Sequence, residues 1–515
     1  MPLKILRIKF FILSFLELLL QKSALVFYYF CSIFSADSLQ YNNASNQVVI
    51  GCSPDYTGEV IIRQQVTEIK SGSSDNYAFK NCKDTINLKQ VILPPNLENI
   101  GRSCFSYDQK LSSINVPDSV KYINDFAFNC SGLTIINISS NSNLLKLNND
   151  CFRSTKLSSI FIPKNVESIS STTFYGCKYL ENITIDQENA NFKSDTISLY
   201  KGSDNSTLIK VVETYQGEYT VACYVTTILK MCFSYCTKIS SIQIHDDVNM
   251  IGESAFSYCE SLTSIIIPRS INRIEYGTFQ YCSSLTSIII PQNVNNVLNN
   301  AFFYCTNLTN ITYLGKITEI MYSTFQYCLS LTNITFPAEI TTIENYAFDS
   351  CQSLTSISIP DSVEKIGDGV FNSCTSLISI TILGYVSYIG DKAFGNCESL
   401  TSITFQNNIT SIRISSTAFS DIPNQMNIYI KGRFNVYQGP KNAFRKRSNL
   451  YITSETILRK SCKDFFGEES VYVHFEGSTQ ITDTETIDVI KYISIPIPTQ
   501  DILIKTYIIR KQLRR

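Results

Sequence analysis

Tryptophan is absent from these 515 residues, and there are only two histidines, His245 and His474, far apart in the chain. Imidazole is the commonest general base near neutral pH and a frequent metal ligand, so few groups remain for either task. A reactive cysteine needs an activating neighbour of this kind. Cys232 and Cys236 stand four apart, but no further ligands cluster with them in the chain, and zinc needs about four that converge. Charge of one sign is lacking too: 43 Lys and Arg against 44 Asp and Glu give a net charge of -1. Such a balance offers no long-range attraction to nucleic acid or acidic lipid. The stretch "YKGSDNST" (200–207) lacks the spacing of a phosphate-binding loop. These absences predict no catalytic residues, no cofactor, no metal and no nucleic-acid partner.

What is present can build a core, since 44% of residues are hydrophobic. At the N-terminus, Lys4, Arg7 and Lys9 precede "FFILSFLELLL" (10–20), and "ALVFYYFCSIFSA" (24–36) follows. Basic residues before an apolar run have the polarity of a secretory signal or an N-terminal anchor. Glu17 and Lys22 interrupt the run, so it holds no unbroken apolar stretch of spanning length. A buried helical hairpin, or a start placed too early, is the competing reading. No C-terminal run is long and apolar enough to span a membrane, and the basic end "RKQLRR" (510–515) reads as a solvated tail.

The strongest signal is a period. Phe233, Phe256, Phe279, Phe302, Phe325, Phe348, Phe371 and Phe394 recur at every twenty-third position, and a cysteine follows each by three positions, from Cys236 to Cys397. A leucine comes three further on, from Leu262 to Leu400. Looser copies centre on Phe79, Phe105, Phe128, Phe152 and Phe174, and later ones on Phe419 and Phe444. A period in the twenties predicts a solenoid. In "LTSIIIP" (262–268), Ile265 and Ile267 alternate inward as a short strand, and Pro268 ends it. Ile271 and Ile274 turn back inward, and "YGTFQYC" (276–282) closes the coil with a tight or helical turn that buries Phe279 and Cys282. No coil can bury this face alone, so coils stack, with parallel strands roughly 4.8 Å apart. Consecutive cysteines then come within disulfide reach, at roughly 5 Å between Cα atoms. Their uniform inward place favours buried thiols instead. Tyr235, Tyr258, Tyr281, Tyr304 and Tyr327 should form a second stripe, which ends where Ser350, Ser373 and Asn396 take over.

"AFSYCESLTSIIIPRSINRI" (255–274) and "AFDSCQSLTSISIPDSVEKI" (347–366) resemble the repeats of BspA-like leucine-rich-repeat surface proteins, and Leu354, Ile357, Ile359 and Ser362 match the general leucine-rich strand. The resemblance implies a leucine-rich-repeat solenoid with short parallel strands on a concave face and turns or short helices on a convex face. It also implies cell-surface display, adhesion or host-protein binding, and no enzymatic activity. Protein or glycoprotein ligands are the expected partners, with membrane contact only through an N-terminal anchor. An intracellular scaffold is the alternative.

The chain is predicted to divide into a hydrophobic signal or anchor (1–36), an N-terminal cap (37–62), repeats (63–185), a hairpin-like insert (186–228), further repeats (229–450) and a strand-rich tail (451–515). The insert comes from the Phe174-to-Phe233 gap, longer than two periods but short of three, where "ISLY" and "LIKVV" flank the polar turn. It either projects as a binding element or resets the twist. The strand face is the default binding surface. Its outward positions read Thr263, Ser264 and Ile266; Thr286, Ser287 and Ile289; Thr309, Asn310 and Thr312; Thr332, Asn333 and Thr335; Thr355, Ser356 and Ser358. Threonine and serine also simply suit an exposed sheet. Several Asn-x-Ser/Thr sequons occur, including Asn43, Asn182, Asn205, Asn310, Asn333 and Asn408, with Asn205 in the insert's turn the chosen glycan site.

Overall fold

A computed structural model describes residues 90–431 apart from 203, 407–408 and 423–425, and outside that span 39–41, 48–52, 59–62, 64, 66–69, 433–438, 449–453, 457–458 and 472–476. The signal or anchor segment, the copies at Phe79 and Phe444, the sequons at Asn43 and Asn408 and the basic end lie outside the described residues. The chain forms two compact units, Met1–Gln216 with Tyr224–Thr237, and Gly217–Cys223 with Lys238–Arg515.

Most coils contribute two strands, not one. A four-residue strand such as Ser287–Ile290 or Ser356–Ile359 alternates outward and inward residues. A two-residue strand follows at the next pair of apolar positions, as at Asn296–Val297 and Lys365–Ile366. Both kinds stack in parallel with equivalent residues in register, for example Ile357 beside Ile380 and Ile366 beside Ile389. Two positions are too few for a visible alternation of period two, so the second ladder leaves little trace in the sequence. A corner closed onto the last strand carbonyl or proline joins them: the Val294 N–H donates to the Pro291 carbonyl at 3.0 Å.

Of the turns or short helices expected there, the turns are present and the helices are not: among the described residues the chain contains no helix. The segment around each phenylalanine is a stack of turns. In most coils the residues two before and two after the phenylalanine have positive φ, as at Gly277 (58°) and Tyr281 (61°), or Asn300 (58°) and Tyr304 (61°). This alternation forbids a continuous right-handed helix. It turns every second N–H along the stack: Phe279 donates to the Ala301 carbonyl at 2.8 Å and Tyr281 to the Phe303 carbonyl at 2.8 Å. The residues between donate within their own coil, as Cys282 does to Phe279 at 3.1 Å. The turn column is therefore polar, each coil donating to the next one along the chain.

Inside the column the phenylalanine rings stack. In the second unit, from Phe256 to Phe419, ring centroids are 5.3–5.5 Å apart and nearly parallel. Tyr258 and Tyr281 stack at 4.5 Å, and Tyr281, Tyr304 and Tyr327 continue at 4.9 and 5.6 Å in tilted pairs. Tyr235 instead meets Tyr175 edge-on at 5.2 Å in the first unit.

The ladders continue beyond the visible period. Asn427–Ile430, Asn449–Thr453 and Tyr472–Glu476 add successive parallel strands to the four-residue ladder. At the other end, Leu39–Tyr41 pairs antiparallel with Val48–Cys52, which starts the two-residue ladder by pairing with Glu68–Ile69. The insert forms three antiparallel strands, Phe192–Ser194, Ser198–Lys201 and Thr207–Val211, and the last rejoins the coil by pairing in parallel with Thr227–Ile228.

Candidate binding faces

The four-residue strands position the outward side chains read from the sequence. Ser264, Ser287, Asn310 and Ser356 are exposed, as are Thr263, Thr286, Thr309, Thr355 and Ser358, while Thr312 is half-buried. Ile266 and Ile289, on adjacent coils, are 80% and 58% exposed. The threonines that precede the strands have a task within the fold. The Thr263, Thr286 and Thr309 hydroxyls donate to the carbonyls of Ser240, Thr263 and Thr286 at 3.2, 3.4 and 2.9 Å. Their recurrence therefore follows from the ladder's own hydrogen bonding.

Two expectations need correction. Ile266 lies just beyond its strand, since only Ser264–Ile265 of "LTSIIIP" (262–268) pairs. Thr332, Asn333 and Thr335 are exposed but belong to no strand. The Ile334 N–H donates to the Asn333 side-chain Oδ1 at 2.8 Å, a local bond that competes with the ladder. Phe336 replaces the usual inward isoleucine nearby and meets Phe348 edge-on at 5.8 Å.

The first unit carries a second candidate that the sequence reading missed. A cleft of about 480 Å³ opens on the four-residue strands, lined chiefly by Asn115, Ile135, Asn137, Ser159, Phe161 and Thr184 on its outward side. Asn115, Asn137, Phe161 and Thr184 hold the same outward place in successive coils, but the residue type changes from coil to coil, so the repeat does not reveal them. The third surface is the turn side of the second unit, where Tyr276, Tyr304, Tyr322 and Tyr346 are 38–45% exposed.

The sequons differ in access. Asn182, Asn310 and Asn333 are exposed. Asn205 is half-buried and its Oδ1 is enclosed.

The repeated cysteines are chemically quiet. The fourteen cysteines whose side chains are described are all free thiols. Cys305 donates its S–H to the Phe279 carbonyl at 3.1 Å, and Cys397 likewise to Phe371 at 3.2 Å. Burial pushes the Cys397 thiol up to about 12, which keeps it protonated and non-nucleophilic at neutral pH. His245 Nε2 lies 3.0 Å from the Ala222 carbonyl and Nδ1 3.6 Å from Asp247. Among the described residues no three His, Cys, Asp or Glu side chains are placed to hold a metal ion. No described helix is long and apolar enough to cross a membrane.

Paired strand ladders around a stacked phenylalanine core define a leucine-rich-repeat β-solenoid. The family model described as "BspA type Leucine rich repeat region (6 copies)" matches residues 72–201, 217–332 and 318–451, and the chain belongs to that family. No curated protein matches it in sequence. Among solved structures it is similar to a leucine-rich cell surface protein of Faecalibacterium prausnitzii, at 21% identity over 67% of this chain and 93% of that one, with a TM-score of 0.45. A leucine-rich repeat protein of Bacteroides ovatus is 24% identical over 72% of this chain and 93% of its own, also at 0.45. One of Eubacterium ventriosum is 21% identical over 74% and 91%, at 0.44.

Proposed function

We propose that the protein is a non-enzymatic surface or secreted binding protein that engages host or neighbouring-cell proteins or glycoproteins through the four-residue strand face of its second unit. The observation that carries this reading is the neighbouring pair Ile266 and Ile289, 80% and 58% exposed on adjacent coils of a face whose other outward residues are mainly hydroxyls and amides. An apolar centre within a polar rim is the usual anatomy of a protein contact. Display outside the cell is supported by the basic residues Lys4, Arg7 and Lys9 ahead of an apolar run. A glycan on Asn310 would cover part of this face, so the reading expects Asn310 unmodified. Asn205 remains the proposed glycan site, needing its turn to open.

A second reading, an intracellular scaffold for protein–protein interaction, is supported by the free thiols, including the exposed Cys223. Protease shaving of intact cells separates the two. Loss of the 229–420 region is expected, and its full protection in intact cells overturns the surface reading. A pull-down with the full chain against extracellular-matrix and cell-surface proteins tests the face. Ile266→Asp with Ile289→Asp should abolish capture, and capture unchanged by both substitutions removes the face from the proposal.

A further inference from the structure

The four-residue ladder of the first unit is divided. Ile135–Ile138 is the last strand of one hydrogen-bonded sheet, and Ser159–Ile162 is the first strand of another. The spacing marks the place: the step from Ile136 to Ile160 is one position longer than the following step from Ile160 to Ile183. The corner after Ile138 is also long, with Leu144 six positions on, whereas its counterpart Val294 stands four after Ile290. The cleft of about 480 Å³ lies over this division. Its size falls within the range of about 300–1,000 Å³ usual for ligand sites.

The chemistry of its walls is specific. None of its lining residues is charged. The Asn137 Nδ2 donates to Asn115 Oδ1 at 2.7 Å, which fixes both carboxamide planes. Each carboxamide keeps further donor or acceptor capacity in that fixed plane. Ser159, exposed beside them, adds a hydroxyl. Ile135, 52% exposed, and the half-buried Phe161 ring supply apolar surface between the polar groups. Such a wall suits a ligand that alternates vicinal hydroxyls with flat C–H faces and carries no charge. A phosphorylated, sulfated or sialylated ligand would find no cation among these residues to offset its desolvation.

We propose that this cleft binds a neutral oligosaccharide. The site stands on other strands than the protein-binding face and does not depend on it. The asparagine pair would bind adjacent sugar hydroxyls, and Phe161 with Ile135 would pack against a pyranose C–H face.

The test uses the full chain on an immobilised panel of neutral tri- to hexasaccharides of glucose, galactose and N-acetylglucosamine, with sialylated and sulfated oligosaccharides alongside. At least one neutral series should bind. Asn137→Asp and Phe161→Ala should each weaken it by about tenfold or more. Ser159→Glu changes only an exposed rim position and should do the same, so it decides the matter if Phe161→Ala unfolds by circular dichroism. Failure of every neutral oligosaccharide at millimolar concentration, binding confined to the anionic ones, or wild-type affinity in Ser159→Glu and Asn137→Asp would overturn the assignment. Capture of protein partners through Ile266 and Ile289 should be indifferent to all three substitutions.

Discussion

In the second unit the residue three after the phenylalanine is cysteine in every coil from Cys259 to Cys397, before Ile422 follows Phe419; in the first it runs Asp108, Ser131, Thr155, Cys177 and Cys236. From Cys282 onward the thiols donate to the preceding coil's phenylalanine carbonyl at 3.1–3.4 Å. In the first unit Thr155 serves its own coil's Phe152 carbonyl at 2.9 Å and Cys177 serves the same carbonyl at 3.0 Å. Asp108 Oδ2 and Ser131 Oγ are buried without a partner. The ring stack loosens in the same direction as the column changes, with centroids at 5.3, 5.6 and 6.0 Å from Phe105 to Phe174. The position thus demands a small donor for a carbonyl that the alternating turn leaves inside the core. A thiol meets that demand at little desolvation cost, whereas hydroxyl and carboxyl groups bring extra polar atoms that need partners of their own.

The first unit also has to continue its polar turn column across the insert, which the second never does. Gly176 would ordinarily donate its N–H to a carbonyl of the following coil; here it donates to Glu213 Oε1 at 2.8 Å. On the far side the Ser234 carbonyl accepts from Lys210 Nζ at 3.1 Å, and Val211 donates its N–H to the Cys232 carbonyl at 3.0 Å. Lys210 and Glu213 are themselves paired at 3.0 Å, both side chains only 1% exposed. Burial alone would pull the Lys210 ammonium down, but the charge and hydrogen bond of Glu213, together with the neighbouring Cys236 and Cys232, hold it above its ordinary value. The ion pair acts as a splice: the carboxylate stands in for the missing carbonyl and the ammonium for the missing N–H. Lys210→Met should therefore cost about 3–5 kcal/mol, because it strands a buried carboxylate. Urea titration read by amide exchange over 170–236 would measure the loss. Lys210→Met with Glu213→Leu should recover most of it, and a double variant no more stable than the single one would show that the splice needs its charges.

Replacing Asp108 should bring the first unit closer to the second. Burial holds the Asp108 carboxyl well above its ordinary value. A raised acid contributes stability while it stays protonated: fully below the unfolded value near about 3.9, and less as pH climbs through the raised folded value. Asp108→Thr puts the residue of Thr155 at that place. It should stabilise the first unit by about 1–3 kcal/mol at neutral pH, with the advantage shrinking toward pH 4. Amide exchange near Phe105 and Phe128, compared at both pH values, checks size and sign. A pH-independent difference would mean that Asp108 is not the titrating group.

How much of this the sequence discloses follows from what repeats. The phenylalanine, cysteine and leucine registers are visible because each coil buries the same three side chains at the same depth. The turn column is visible only in hindsight: Gly277, Gly369 and Gly176 share positions with Ser254, Tyr346 and Ser154, and that mixture marks a left-handed conformation rather than a helix. The splice has no period, since Lys210 and Glu213 look like any surface pair three apart until the insert buries them. The cleft is hidden for a different reason, because its positions repeat while its residue types do not. Asn137 and Phe161 sit where other coils have serine, threonine or isoleucine, and only the extra position between Ile136 and Ile160 hints at it.

The smallest effect concerns the stripe two residues after each phenylalanine, where the second unit itself divides. Tyr281 (φ 61°) and Ser373 (φ 57°) adopt the same left-handed backbone. Left-handed geometry costs a non-glycine residue about 1–2 kcal/mol, and glycine escapes it while losing about 0.5–1 kcal/mol in unfolded-chain freedom. At Tyr281 the ring recovers part of that cost by stacking on Tyr258 at 4.5 Å and touching Tyr304 at 4.9 Å. Each aromatic pair is worth about 0.5–1.5 kcal/mol. At Ser373 there is no ring to lose, and the N–H bond to the Gly395 carbonyl at 2.8 Å survives substitution. Ser373→Gly should therefore gain up to about 1 kcal/mol, and Tyr281→Gly should lose about that much or more. The measurement is the change in urea midpoint for each variant under identical conditions. Opposite signs would show that tyrosines brace a strained turn. Equal gains would mean that the tyrosine stripe serves a contact outside the fold.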